Sequence, residues 1–116
     1  MIIAKEFTFD AAHQLPDEDC YGKCRHLHGH TYKLIVKIEG VVRDKGWVMN
    51  FKDLKEIVNE FVIEKLDHAN INDYVEISTA ENILLWIRKQ IEDKLYPKLT
   101  SLTLWETPTS YAKLIC

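Results

Sequence analysis

Two stretches of the chain alternate between apolar and polar positions, and both carry histidine at one end. From Met1 to His13, the residues Ile3, Phe7, Phe9, Ala11 and His13 share one parity, which in an extended strand puts them on one face. From His28 to Glu39, the residues His28, His30, Tyr32, Leu34, Val36 and Ile38 fall together, while Thr31, Lys33, Lys37 and Glu39 point the other way. If the two strands pair as a hairpin, the end of the first lies beside the beginning of the second, and the loop Gln14 to Leu27 closes over that end. All three imidazoles then converge on the apolar side.

The period changes after the break from Gly40 to Asn50. Asn50 reads as a helix N-cap, with Asp53 at the third helical position, and Leu54, Ile57, Val58, Phe61 and Val62 follow helical spacing to about Lys65. Ser78 with Glu81 has the spacing of a second capping box, and Ile83, Leu84, Ile87, Ile91 and Leu95 form the stripe of a helix that stops before Pro97. Leu99 to Glu106 alternates again, Thr107-Pro108-Thr109 interrupts it, and Ser110 to Ile115 is a short last strand. The order ββααββ predicts an α+β fold, a four-stranded antiparallel sheet with two helices on one face. Ile35 beside Leu34 and Val36 puts apolar residues on both faces of the second strand, so the bare face is expected to meet another subunit.

Composition narrows the class. A chain of 116 residues, 47% hydrophobic and 28% charged, is expected to make one globular domain spanning 1–116. No apolar run reaches the length of a membrane span and the amino terminus lacks a signal-peptide pattern, so no membrane partner and a cytoplasmic location are expected. A net charge of −3 argues against nucleic acid. A small anionic ligand needs cations gathered locally, and Lys23 and Arg25 in the histidine loop are candidates. Three cysteines, Cys20, Cys24 and Cys116, cannot all pair within one chain and read as free thiols.

Zinc suits the histidine cluster. Neutral imidazole is a preferred ligand, and three protein ligands leave positions open for water or substrate, as catalysis requires. The competing readings are hydrogen-bonded core histidines, and a closed structural site made of Cys20, Cys24, His28 and His30, which would leave His13 unexplained. Near a dication the Cys24 thiol would ionise readily and serve as a base; its bland reading is a small loop residue. His68, beside Asp67, is either a proton-exchanging pair or a helix-terminal cation. Glu106, at the end of an apolar strand face, either meets a ligand offering two donors or is an exposed strand end.

Together these segments resemble the 6-pyruvoyltetrahydropterin synthase family. The likeness rests on Phe9-Asp10-Ala11-Ala12-His13, Cys24 to His30, Gly46-Trp47-Val48-Met49-Asn50-Phe51, Leu66-Asp67-His68, Thr79-Ala80-Glu81-Asn82 and Glu106-Thr107-Pro108-Thr109-Ser110. The resemblance implies a tunnelling fold, with trimeric barrels stacked into a homohexamer and sites at subunit interfaces. It also implies zinc on His13, His28 and His30, Cys24, Asp67 and His68 as catalytic residues, and substrate contacts from Glu106 and Thr107. The implied substrate is 7,8-dihydroneopterin triphosphate. The compact Cys-x3-His-Gly-His spacing is similar to the carboxy branch, which serves queuosine and deazapurine biosynthesis and releases acetaldehyde and triphosphate. A pyruvoyl-type synthase or another dihydroneopterin-cleaving relative is the nearest alternative. A non-catalytic, zinc-stabilised scaffold is the alternative of another class. Asn50 departs from the aspartate of many relatives, and His26, in the loop, is left out of the ligand set.

Overall fold

The computed structural model describes residues 1–116. β1 (Ile2–His13) and β2 (His28–Glu39) form the expected long hairpin, with Phe7 opposite Leu34, Phe9 opposite Tyr32 and His13 opposite His28. β2 also pairs with β4 (Lys98–Thr107), which in turn pairs with β5 (Ser110–Ile115), all antiparallel. The sheet has five strands where the pattern predicts four. The additional β3 is two residues, Ala69–Asn70, running parallel to β1 beside Ala11 and Ala12. Two residues are too few to show a period, and their pairing is decided by the chain reversal before them. The strand order is β3-β1-β2-β4-β5.

The helices lie on the histidine face of the sheet. α1 (Phe51–Val58) runs through a π-helical stretch, Asn59–Ile63, into α2 (Glu64–Leu66), so the expected helix over residues 51–65 is one arm with a widened middle. Asn50 caps it by accepting the Lys52 N–H at 3.0 Å. α3 spans Ala80–Ile91 and tightens into a 3₁₀ turn, Glu92–Lys94, so Leu95 is buried but stands past the helix.

One part of the second helix start differs from the sequence pattern. Thr79, rather than Ser78, is the N-cap, its hydroxyl accepting the Asn82 N–H at 3.3 Å. Ser78 is instead fully buried against the end of β1.

Phe7, Phe9, Tyr32, Leu34, Val36, Ile38, Leu102 and Leu104 from the sheet pack against Leu54, Val58, Val62, Leu66, Ile83, Leu84, Ile87 and Ile91 from the helices. These belong to a single cluster of 22 buried residues, and burying each large aliphatic side chain contributes on the order of 1.5–3 kcal/mol. The opposite face is mixed. Lys33 lies over the ring of Trp105 at 5.5 Å, and Trp105 packs on Tyr111 with centroids 4.4 Å apart. The outer edge of β5 is unpaired, as is β1 before Ala11. The chain measures 54 × 24 × 23 Å. No helix is long and apolar enough to cross a membrane.

Candidate metal centre and flanking clefts

The hairpin register brings His13 and His28 directly opposite one another, with His30 two residues along the same face. One ring nitrogen from each of the three lies within 4.8 Å of the others, a grouping that can hold a metal ion. Neither Cys20 nor Cys24 belongs to it, so the closed cysteine-histidine site is not assembled.

The hydrogen bonds around the rings prepare them as ligands. Nδ1 of His13 lies 2.9 Å from the Ser78 carbonyl, and Nδ1 of His28 lies 2.7 Å from the His26 carbonyl. A carbonyl only accepts, so both Nδ1 atoms carry the proton and both Nε2 atoms keep a free lone pair. His26 thus contributes its backbone and not its ring. Nε2 of His13 and Nε2 of His30 are buried with no hydrogen-bond partner, as is the hydroxyl of Tyr32 beneath them. Buried polar atoms ordinarily find partners, so two bare imidazole nitrogens facing a third histidine are what a bound cation would satisfy. Burial pushes the His13 and His30 rings below their ordinary pKa. They therefore stay neutral and able to ligate to lower pH than a solvated histidine. Burial and the nearby Glu106 charge push the Tyr32 phenol up, so it remains a donor.

Two clefts open on either side of His30. One, of about 520 Å³, is lined by Asp10, Ala12, Gly29, His30, Thr31 and His68, among others. The other, of about 650 Å³, is lined by Gly29, His30, Thr31, Lys33, Trp105 and Glu106, with Thr107 and Pro108 at its end. Glu106 places a carboxylate oxygen 3.5 Å from Nε2 of His30, so it faces the site and is not a solvated strand end. Thr107 lies in the same cleft, its hydroxyl accepting the Thr109 N–H at 3.3 Å across the turn into β5.

Asp67 and His68 lie in the first cleft's neighbourhood, where the arm turns into β3. An Asp67 oxygen accepts the Asp10 N–H at 3.0 Å and lies 3.0 Å from Nδ1 of His68. These donors, the Asp10 amide foremost, hold the Asp67 carboxyl below the usual carboxylate range. His68 adopts φ 57, the chain's one non-glycine residue at positive φ, and its N–H donates to the Asp10 carbonyl at 2.6 Å. The left-handed backbone turns the chain so that β3 can pair with β1. Asp10 is a member of this group to which the sequence pattern gives no role, although it stands three residues from His13 among the outward positions of β1.

Cys24 is exposed on the 3₁₀ segment Asp19–Arg25. Its sulfur makes no hydrogen bond to Asp67 or His68, and it lines neither cleft around His30. Within one chain, then, the histidines and Glu106 come together, Asp67 and His68 come together, and Cys24 stands apart from both. Arg25, a candidate cation for an anionic ligand, is already engaged by Asp17 at 3.4 Å and Asp19 at 3.3 Å.

The chain matches, over residues 2–115, the family model described as 6-pyruvoyl tetrahydropterin synthase. It is 40% identical to a 6-carboxy-5,6,7,8-tetrahydropterin synthase of Synechocystis sp., over 97% of this chain and 91% of that one. It is 44% identical to a dihydroneopterin monophosphate aldolase of Pyrococcus furiosus, over 85% of this chain and 83% of that one. Among solved structures, the 6-pyruvoyl tetrahydropterin synthase of Caenorhabditis elegans superimposes with a TM-score of 0.89 at 27% identity, covering 100% of this chain and 95% of that one.

Proposed function

This chain belongs to the 6-pyruvoyl tetrahydropterin synthase family, and from that premise we propose that it is a zinc-dependent 6-carboxy-5,6,7,8-tetrahydropterin synthase. Its substrate is 7,8-dihydroneopterin triphosphate. With uptake of one water the substrate gives 6-carboxytetrahydropterin, acetaldehyde and triphosphate, which conserves the carbons of the side chain between two products. Such a pterin serves queuosine and deazapurine synthesis. The observation that supports the reading most is the pair of buried, unpartnered imidazole nitrogens on His13 and His30 beside His28.

In this reading His13, His28 and His30 hold the zinc. A divalent ion there supplies Lewis acidity to the oxygens of the substrate side chain. Glu106, with Thr107 beside it, accepts hydrogen bonds from the ring N–H donors of the pterin and fixes which edge of the heterocycle enters the cleft. Cys24 takes and returns protons at the side-chain carbons. His68 exchanges protons with it, and Asp67 orients the His68 ring through the 3.0 Å contact to Nδ1. Because Cys24 and His68 do not meet within one protomer, the complete constellation forms where copies of the chain adjoin, in a homohexamer built as a dimer of trimers. The unpaired edges of β1 and β5 and the partly apolar outer face favour such packing. The protein works in the cytoplasm, on a small molecule.

The test is incubation of the zinc-loaded protein with 7,8-dihydroneopterin triphosphate, followed by mass analysis of the pterin product and an assay for acetaldehyde. A 6-carboxy product with stoichiometric acetaldehyde supports the proposal; a pyruvoyl product with no acetaldehyde overturns it. The likeness to the Pyrococcus enzyme favours a second reading, aldol cleavage of dihydroneopterin monophosphate. Turnover of the monophosphate in preference to the triphosphate would establish that reading in place of the first.

A further inference from the structure

Ser78 is the residue whose sequence role the fold replaced. It does not cap α3, and its side chain is fully buried, turned back onto His13 across 65 residues of chain. Its carbonyl oxygen lies 2.9 Å and its hydroxyl oxygen 3.0 Å from Nδ1 of His13. The hydroxyl also receives an N–H from Nδ2 of Asn72 at 3.1 Å and donates to the Gln14 carbonyl at 3.4 Å.

Only one arrangement of protons satisfies all of these groups. The Gln14 N–H donates to Oδ1 of Asn72 at 2.9 Å, and Nδ2 of Asn72 faces the carbonyls of Val75 at 3.3 Å and Glu76 at 3.0 Å. A flipped amide would set donor against donor at Gln14 and acceptor against acceptor at the two carbonyls, so the Asn72 orientation is fixed. With Asn72 occupying one lone pair of the Ser78 hydroxyl and the Gln14 carbonyl drawing its proton, the remaining lone pair faces His13. Both Ser78 oxygens therefore act as acceptors towards Nδ1, which must carry hydrogen. The ring's other nitrogen, Nε2, is left bare and buried.

We propose that Ser78, held in place by Asn72, is a positioning residue that locks His13 in its Nδ1-protonated tautomer and so presents Nε2 to the metal. The inference rests on the metal-site reading of His13, His28 and His30 and adds to it the device that sets one ligand. Partners in this outer position generally change metal affinity about 10- to 100-fold when removed. Asn72 matters as much as Ser78, because it ties the segment from Val75 to Ser78 to the end of β1 and keeps the Ser78 carbonyl aimed at the ring.

The test uses Ser78→Ala, which removes the hydroxyl, and Asn72→Asp, which keeps an acceptor for the Gln14 N–H but loses every donor. Nitrogen-15 spectra of the metal-free protein near pH 8 read the His13 tautomer directly, and competition with a chelator reads zinc affinity. Wild type should show Nδ1–H alone. Each variant should bind zinc on the order of 10-fold or more weakly, with unchanged far-ultraviolet circular dichroism. Asn72→Asp, which frees the Ser78 carbonyl from its aim at the ring, should also show a mixture of tautomers, whereas Ser78→Ala keeps that carbonyl and should keep Nδ1–H. Variants that keep both the pure tautomer and wild-type affinity would overturn the proposal. Asn72→Asp, which alters a partly exposed residue, decides the matter if Ser78→Ala does not fold. A wild-type protein that takes up no zinc would remove the metal-site reading, while the tautomer spectra would still decide whether Ser78 sets the ring.

Discussion

Glu106 Oε1 stands 3.5 Å from Nε2 of His30, so the carboxylate at the end of β4 and an imidazole on β2 face one another across the mouth of a cleft. If Glu106 anchors the pterin, Glu106→Gln replaces a charged acceptor by a mixed donor and acceptor. KM should then rise by roughly 10- to 100-fold, the factor expected for losing one charge-assisted hydrogen bond. Zinc content should be unchanged. Steady-state kinetics with metal analysis checks both, and loss of metal in Glu106→Gln would instead place the carboxylate in the ligand shell.

Cys24→Ala should retain zinc and lose turnover by on the order of 10²-fold or more, since Cys24 lies outside the histidine cluster. Zinc stoichiometry and single-turnover rates separate the two effects. A variant that turns over normally would return Cys24 to the status of an ordinary exposed loop residue.

Asp67→Asn keeps an oxygen for the Asp10 N–H but removes the charge beside Nδ1 of His68. The expected result is a fall in kcat with little change in KM or in thermal stability. An unchanged kcat would show that the pair serves only to turn the chain into β3.

The pH dependence follows from the buried rings. The folded-state pKa values of His13 and His30 lie below the ordinary 6.5, chiefly through burial. Above 6.5 both states are neutral and the stability contribution is present in full. As pH falls through 6.5 the unfolded chain takes up protons that the folded chain refuses, and stability declines until the lowered folded values are passed. Metal-free protein should therefore melt at progressively lower temperature below about pH 6.5, and zinc release should follow the same direction because ligation needs neutral imidazole. Melting curves from pH 8 to 5 with and without zinc read both, and a flat profile would contradict the burial argument.

Chelation should abolish turnover yet leave the helices. The 22-residue core joins sheet to helices without using any of the three histidines. Circular dichroism that collapses with zinc removal would favour the structural-zinc scaffold.

Much of this arrangement was legible in the sequence where a period was long enough to read. Twelve residues of β1 and of β2 fix both the hairpin and the face that carries the histidines, and the stripes from Leu54 to Val62 and from Ile83 to Ile91 fix the helices. The two-residue β3 carries no period, and its existence depends on the left-handed turn at His68. The second helix start was ambiguous because Ser78 and Thr79 both offer a capping hydroxyl within one residue. Burial against His13 decided between them, and burial is a property of the folded chain. The position of Cys24 relative to His68 is equally absent from the spacing, since no local pattern links the 3₁₀ segment to the turn before β3.

Gly29 lines both clefts, and only Gly29, His30 and Thr31 are common to the two. Its backbone does not require glycine: φ is not positive there, and an added Cβ would rest 3.5 Å from the Ala11 carbonyl, an ordinary contact. With no side chain at Gly29, the stretch of β2 that both clefts share carries nothing beyond its backbone at that position. A single methyl group at that point would leave the hairpin intact, since it meets only an ordinary contact, while adding bulk to the wall that the two clefts have in common.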